Sequence, residues 1–358
     1  MRQCRDCDFP RKFARYFDWR SDGTIISTDS TRTRSQITFL EAGVLEDLLA
    51  DLSATIGFDI DRLVIQAQKN IGKAIYASLP IRHMKRVPAT RFTRPQWLAA
   101  LLVRAIAADI AGLGDGRVSL DRYVAGETLV IRFRNPVVAP LLVGSLAGIY
   151  ESIEDMPASD VSYRDDSGDL VVSLTHGEAA EVAEERFALE EIREGEGPLR
   201  WQRCLDCGVP VEAARTWKWD IDEGIIHNRR TGARDVVVAV QSVNAILREL
   251  ESELGEEVPK LVYDHQKAVT LKKRKDKPVE EAAAYMEERL MEMALRGMGY
   301  PTDFEFTGSA VSVEIGNAYN QVLYAAKLAA DLESVTGATS DIEWRRREPY
   351  SASYAITT

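Results

Sequence analysis

The sequence holds few of the side chains that most often carry chemistry. Its 358 residues include only 4 cysteines and 4 histidines. The histidines, His83, His176, His227 and His265, have no His partner at i+3 or i+4, so none belongs to a metal-binding pair of that spacing. No nucleophile–base pair, phosphate-cradling glycine loop or paired-carboxylate signature is present. A catalytic role is therefore not the expectation. Long apolar runs are missing as well. Residues 97–102 and 105–113 are the longest stretches, and Arg104 and Asp109 interrupt them. They are too short and too polar to span a bilayer. The chain opens on charged residues and cysteines rather than an apolar leader, which leads us to expect a cytoplasmic protein away from the membrane. Basic charge is in deficit, with 45 Lys and Arg against 56 Asp and Glu and a formal net charge of -11. That balance disfavours a general binder of phosphate backbones. The length suits roughly two domains.

What the sequence does have, it has twice. Cys4-Arg5-Asp6-Cys7-Asp8-Phe9-Pro10 is answered by Cys204-Leu205-Asp206-Cys207-Gly208-Val209-Pro210. Trp19 and Asp22 are answered by Trp219 and Asp222, and Ile25-Ile26 by Ile225-Ile226. Subtracting 4 from 204, 19 from 219 and 26 from 226 gives 200 each time. A fixed offset over residues this different in type marks a tandem duplication with a CxxC at the head of each copy. All the cysteines lie in these two pairs.

The pattern continues down both copies. A turn at Asp22-Gly23-Thr24 and strands at 25–26 and 37–40 predict a hairpin, with Val236 to Val240 as the second copy's counterpart. Leucines at 45, 48, 49 and 52 predict a helix stopped by Gly57, and residues 246–254 one stopped by Gly255. Second helices follow at 63–69 and 261–267. A basic segment comes next in each copy: Arg82, His83, Lys85, Arg86, Arg91 and Arg94, then Lys272, Lys273, Arg274, Lys275 and Lys277. Long helices over 95–110 and 279–295 end in Gly112-Leu113-Gly114 and Gly297-Met298-Gly299, expected as positive-φ stops. Strands at 128–135 and 310–317 both end in Asn. Small-residue helices at 141–153 and 322–335 follow, closing on Glu-Ser-Ile and Glu-Ser-Val. Final strands are read at 161–163 with 170–174, and at 342–344 with 353–356. Each copy is therefore α+β, helices on an antiparallel sheet. We read copy one as 1–176, an acidic helical linker as 177–200, and copy two as 201–358.

This order of elements resembles the vinyl-reductase domain family, described as hydrocarbon- or small-molecule-binding proteins. The residues that carry the resemblance are Gly112, Gly114, 130–135 and 144–149, then Gly297, Gly299, 311–317 and 325–332. The resemblance covers about the last third of each copy. It implies a fold that pairs as a dimer and holds an apolar or tetrapyrrole-like ligand between helices and sheet. A tandem copy would form that dimer within one chain. Members often carry cysteines in the closing hairpin. Neither hairpin has one here, so the resemblance brings no metal or redox role to that place.

Zinc wants four thiolate or imidazole ligands in a tetrahedron, and each CxxC offers two. If the copies pair about a pseudo-twofold axis, Cys4, Cys7, Cys204 and Cys207 form one structural zinc site. Free or disulfide-linked pairs and a redox CxxC are the alternatives. Trp19, Trp217 and Trp219 are read as core beside the knuckles, Asp22 and Asp222 as turn residues, and Asn135 and Asn317 as strand ends. The basic segments are read as solvated loops, with contact to nucleic acid or an acidic partner as the alternative. The expected function is non-catalytic binding or sensing of a small apolar molecule. A protein- or nucleic-acid-binding adaptor is the second reading, and a metal- or redox-associated accessory protein the third.

Overall fold

The computed structural model describes residues 1–28, 34–76, 95–156, 159–177, 195–274, 281–347 and 351–358. The first half opens with α1 (Arg11–Tyr16) and three strands, β1 (Phe17–Trp19), β2 (Ile25–Thr28) and β3 (Arg34–Glu41). Helices α2 (Ala42–Ile56), α3 (Asp61–Tyr76) and α4 (Gln96–Leu113) follow. Then come β4 (Arg117–Val124), β5 (Thr128–Arg134), α5 (Ala139–Glu154), β6 (Ser159–Asp166) and β7 (Asp169–His176). The second half repeats the order. It runs α6 (Val211–Thr216), β8 (Trp217–Asp220), β9 (Ile225–Asn228), β10 (Arg234–Ala239), α7 (Val240–Leu254), α8 (Val258–Lys272) and α9 (Ala282–Leu295). It closes with β11 (Tyr300–Phe306), β12 (Ala310–Gly316), α10 (Gln321–Thr336), β13 (Asp341–Arg347) and β14 (Ser351–Thr357). The chain is α+β, with three antiparallel sheets among the described residues.

The hairpins do not stay within their own halves. They fuse into one six-stranded sheet of order β1-β2-β3-β10-β9-β8. At its middle β3 runs antiparallel to β10, and Thr38 faces Val238. These two residues are 200 apart, the offset of the cysteines. Side chains alternate across this sheet, as strand geometry requires. Ile37, Phe39 and Val237 pack with the cysteine-bearing heads. Leu40, Val236 and Val238 pack with the helices on the other face. The helices also cross between halves: α2 packs on α8 and α3 on α7.

Each half keeps a four-stranded sheet of its own, β4-β5-β7-β6 and β11-β12-β14-β13. Strands β4 and β11 are absent from the sequence reading. Both carry a register shift, at Leu120/Arg122 and at Pro301/Asp303. The small-residue helices do what close approach demands. A Cβ on Gly144 would meet the Ile65 carbonyl oxygen at 2.6 Å, and one on Gly148 would meet that of Lys69 at 2.3 Å. In the second half Ala325, Ala326, Ala329 and Ala330 are fully buried at the equivalent places. The shared Glu-Ser ending also has a cause. Buried Glu151 accepts from both the backbone N and Oγ of Ser159 at 2.8 Å, and Lys69 and Lys73 pair with it at 3.3 and 2.5 Å. Glu333 repeats this with Ser340 at 2.8 Å and Lys267 at 3.0 Å.

One expected glycine stop is different. Gly114, Gly297 and Gly299 have positive φ, but Gly112 lies inside α4, where a Cβ would sit 1.8 Å from the Phe13 ring. It is small for packing, not for its backbone. No single described helix is long and apolar enough to cross a membrane. The first basic segment (Arg82 to Arg94), Lys275, Lys277, the link at 31–33 and residues 178–194 of the linker lie outside the described residues.

Candidate metal centre

Each head is a short loop closed by its own backbone. Cys4 N donates to the Phe9 carbonyl at 2.8 Å and Asp8 N to the Cys4 carbonyl at 3.1 Å. In the second head Cys204 N donates to Val209 at 2.8 Å and Gly208 N to Cys204 at 2.9 Å. The residue after the second cysteine must turn through positive φ: Asp8 sits at 60° and Gly208 at 80°. Asp and Gly are residues that tolerate that region. Pro10 and Pro210 then stand at the N-caps of α1 and α6, where a missing N–H costs nothing.

The two loops meet. Cys4 Sγ lies 3.7 Å from Cys204 Sγ, and Cys7 Sγ 3.4 Å from Cys207 Sγ. All four sulfurs lie within 4.8 Å of one another. A tetrahedral ion with sulfur at about 2.3 Å has edges of about 3.8 Å, so the spread brackets that geometry. All four are free cysteines. The arrangement is compatible with a metal site. Burial pushes the Cys7 thiol well above its ordinary value and the Cys207 thiol up to about 11, although the Phe9 and Val209 backbones oppose this by hydrogen bonding. Burial also raises Cys204, but the Cys207 and Asp206 backbones outweigh it and hold that thiol below the ordinary value. Backbone donors of this kind steady a thiolate at a metal.

One acidic residue bridges the heads. Asp206 accepts from Cys4 Sγ and from Arg5 N, both at 3.3 Å, and is ion-paired with Arg11. Those contacts, the Cys4 one first, hold its carboxyl below the usual carboxylate range. Asp6 has the same place in the first loop, but Val211 stands where Arg11 would have its equivalent. The centre is thus twofold in its sulfurs and one-sided in its charge.

Behind the sulfurs, the aromatic cluster ties each head to the opposite half. Trp19 is 1% exposed and its indole N–H donates to the Leu295 carbonyl at 2.9 Å. Trp219 donates to the Gly112 carbonyl at 2.9 Å. Trp217 is also buried, stacked on Phe39 with ring centroids 4.0 Å apart, and donates to Asp235 at 2.7 Å. Asn135 Nδ2 reaches the Glu223 carbonyl at 3.2 Å, and Asn317 Nδ2 reaches that of Asp22 at 3.1 Å. Both asparagines hold positive φ, 50° and 56°. They are clasps between halves, not mere strand ends. Asp22 is a turn residue as read, and a fully buried one, accepting from Thr24 and from Gly195 N at the linker's end.

The remaining candidates lie elsewhere. His176, His227 and His265 are outside the sulfur cluster, and His265 bonds Thr55 at 2.9 Å. His83 is not among the described residues. Of the second basic run, Lys272 and Lys273 are exposed, Lys273 pairing with Glu41 at 2.9 Å, while Arg274 is half-buried and pairs with Asp331 at 2.8 Å. Two grooves occupy equivalent places at the helix layer. One, wide open to solvent and of about 660 Å³, is lined by Leu49, Ala50, Phe58 and Pro140 together with Glu46, Asp59 and Asp61. The other, of about 270 Å³, has Leu247, Arg248 and Tyr319 on its walls.

No protein-family model matches the chain, and no curated protein matches it. Among solved structures, the chain is similar to the phenol-responsive sensory domain of the transcription activator PoxR, crystallised with phenol. That likeness has a TM-score of 0.33 and 13% identity, over 41% of this chain and 87% of that domain.

Proposed function

We propose that the chain is a tandem pseudo-dimer of vinyl-reductase-like units whose two heads share one structural zinc ion. The units are 1–176 and 201–358, joined by 177–200. The meeting of Cys4, Cys7, Cys204 and Cys207 within 4.8 Å carries the reading. Zinc suits four closely set thiolates with no open position, a closed structural site rather than a catalytic one. The ion would supply the positive charge that lets four crowded thiols lose their protons. The facing of Thr38 and Val238 across β3 and β10 supports a local twofold relation.

In this reading the protein binds or senses a small apolar molecule in the cytoplasm and catalyses nothing. The first half is the ligand-binding half. Its groove of about 660 Å³ falls in the usual range for small-molecule sites, and α4 exposes Trp97, Leu101, Leu102 and Ile106, an apolar patch of the kind that marks binding surfaces. The second half has filled its interior with Tyr319, Tyr324 and Met298. The adaptor reading is weaker, because Lys273 and Arg274 are already paired with carboxylates of the same chain.

Native mass spectrometry of the purified chain, before and after denaturation, tests this. The expected result is one zinc ion per folded chain together with a small apolar molecule released on unfolding. A folded chain carrying neither would overturn the proposal.

A further inference from the structure

A charged chamber lined mostly by the second half has no counterpart among the described residues of the first. It lies at the seam between halves, enclosed by the ends of β3, α8 and α9 and by one face of α10. Its cations and carboxylates do not balance. Lys273 pairs with Glu41 at 2.9 Å and Arg274 with Asp331 at 2.8 Å. Arg289 pairs with Glu292 and faces Asp331 at 3.5 Å. Arg296 pairs with Glu292 at 3.1 Å and with Asp235 at 3.2 Å. Arg230 pairs with Glu288 and Glu292, so five carboxylates answer five cations. The sixth cation, Lys327 on α10, lines the chamber and has no hydrogen bond or ion pair to any described residue. Nε of Arg289, a residue only 8% exposed, is also left without a hydrogen bond.

We propose that this chamber binds a small oxyanion, a carboxylate or a phosphate group, with Lys327 as its counter-ion. The volume open to solvent-sized molecules is about 40 Å³, room for on the order of three waters or one oxyanion head. Lys327 is half-buried, and a cation largely withdrawn from water with no partner among the described residues is costly; an arriving anion removes that cost. The amine is already yielding to its surroundings. Burial first, then Arg274 and Arg296, push Lys327 down to about 7, while Asp331 pulls the other way. An anion beside it raises that value again, so binding takes up a proton and weakens as pH rises through 7 to 8. The described residues of the first half do not repeat it. Subtracting 182 places Ser145 at the position of Lys327 and Ile149 at that of Asp331, and subtracting 185 places Ala107 and Ala111 at those of Glu292 and Arg296.

Titration calorimetry on the full chain tests the site, with inorganic phosphate and acetate as separate probes at pH 6 and pH 8. The expected result is saturable binding of at least one probe, tighter at pH 6, with net proton uptake read from buffers of different ionisation heat. Which probe binds distinguishes a phosphate site from a carboxylate site. Lys327→Met lowers the affinity about tenfold or more, while Ser145→Ala at the first half's equivalent leaves it unchanged. Lys327→Arg keeps the charge and binds without proton uptake, since a guanidinium does not deprotonate. No saturable binding of either probe to the unsubstituted chain would overturn the proposal. So would unchanged affinity in Lys327→Met, or, should that variant not fold, proton uptake that persists in Lys327→Arg.

Discussion

The two long helices, α4 and α9, hold equivalent places and meet different surroundings. Counting 185 residues back, as from Gly299 to Gly114, Met286 of α9 answers Leu101 of α4, and Ala282 answers Trp97. Met286 is 0% exposed where Leu101 is 57%, and Ala282 is 0% exposed where Trp97 is 68%. The difference follows from a few substitutions beneath the helix. In the second half Asp331 on α10 receives Arg289 from the side of α9, and Tyr285 donates to it at 3.3 Å. In the first half Ile149 stands at that place and Ala100 at that of Tyr285. An isoleucine accepts nothing, so among the described residues α4 has no polar clasp to α5 and rests mainly on β4. A duplicated element order sets the path of the chain. It does not set how tightly each helix is seated.

The comparison can be broken most sharply at Asp331. Replacing it with Ala leaves Arg274 without its buried partner and Arg289 with Glu292 alone, and costs about 3–5 kcal/mol. Amide exchange in α9 then rises toward that of α4; protection of α9 as in the unsubstituted chain would sink the clasp explanation. Next comes the glycine that lets α3 touch α5. Gly148→Ala forces a methyl against the Lys69 carbonyl and is expected to lower stability by about 1–3 kcal/mol in urea melts. The reverse change at the equivalent place, Ala330→Gly, costs about 1 kcal/mol through backbone entropy and lost packing.

A smaller effect tests the cross-half bonds. Trp219→Phe removes the donor to Gly112 and is expected to cost about 1 kcal/mol. Trp19→Phe, which releases Leu295, should match it. A large inequality would show that the two heads are not held alike. The pH dependence of Glu333 is gentler. Burial raises its carboxyl, but the Ser340 backbone and Lys267 outweigh that and hold it below its usual value of 4.5. Its stabilising share is therefore complete above that value and is lost as pH falls through the lower folded-state value. Glu333→Gln should flatten the acid limb of the stability curve. The smallest effect is expected at Trp97, where Ser changes stability by no more than about 0.5 kcal/mol; a larger loss would mean that α4 is seated more firmly than its exposure indicates.

Much of this was readable before any fold was known. The repeated CxxC, Pro and Trp announce the paired heads, because a fixed offset survives whatever the loops do. Gly57 and Gly114 mark helix ends through backbone needs that few other residues meet. The strands β4 and β11 were not readable. Their side chains are mostly exposed or half-buried, and bulges at Leu120/Arg122 and Pro301/Asp303 break the alternation that betrays a strand. The fusion of the hairpins was hidden for another reason. Trp19, Asn135 and Asn317 find their partners 276, 88 and 295 residues away, and no local pattern encodes contacts at that distance. The charged chamber has no sequence signature, because its members come from β3, α9, α10 and the end of α8, none with a motif of its own.

The central claim is that sulfur from both halves converges on a single ion. Its most direct test is the zinc content of the folded chain set beside that of the double variant Cys204→Ser/Cys207→Ser. One ion per chain, falling to none in the variant, is the predicted result. Two ions per chain, or one ion retained when the second head has lost its thiols, would contradict it.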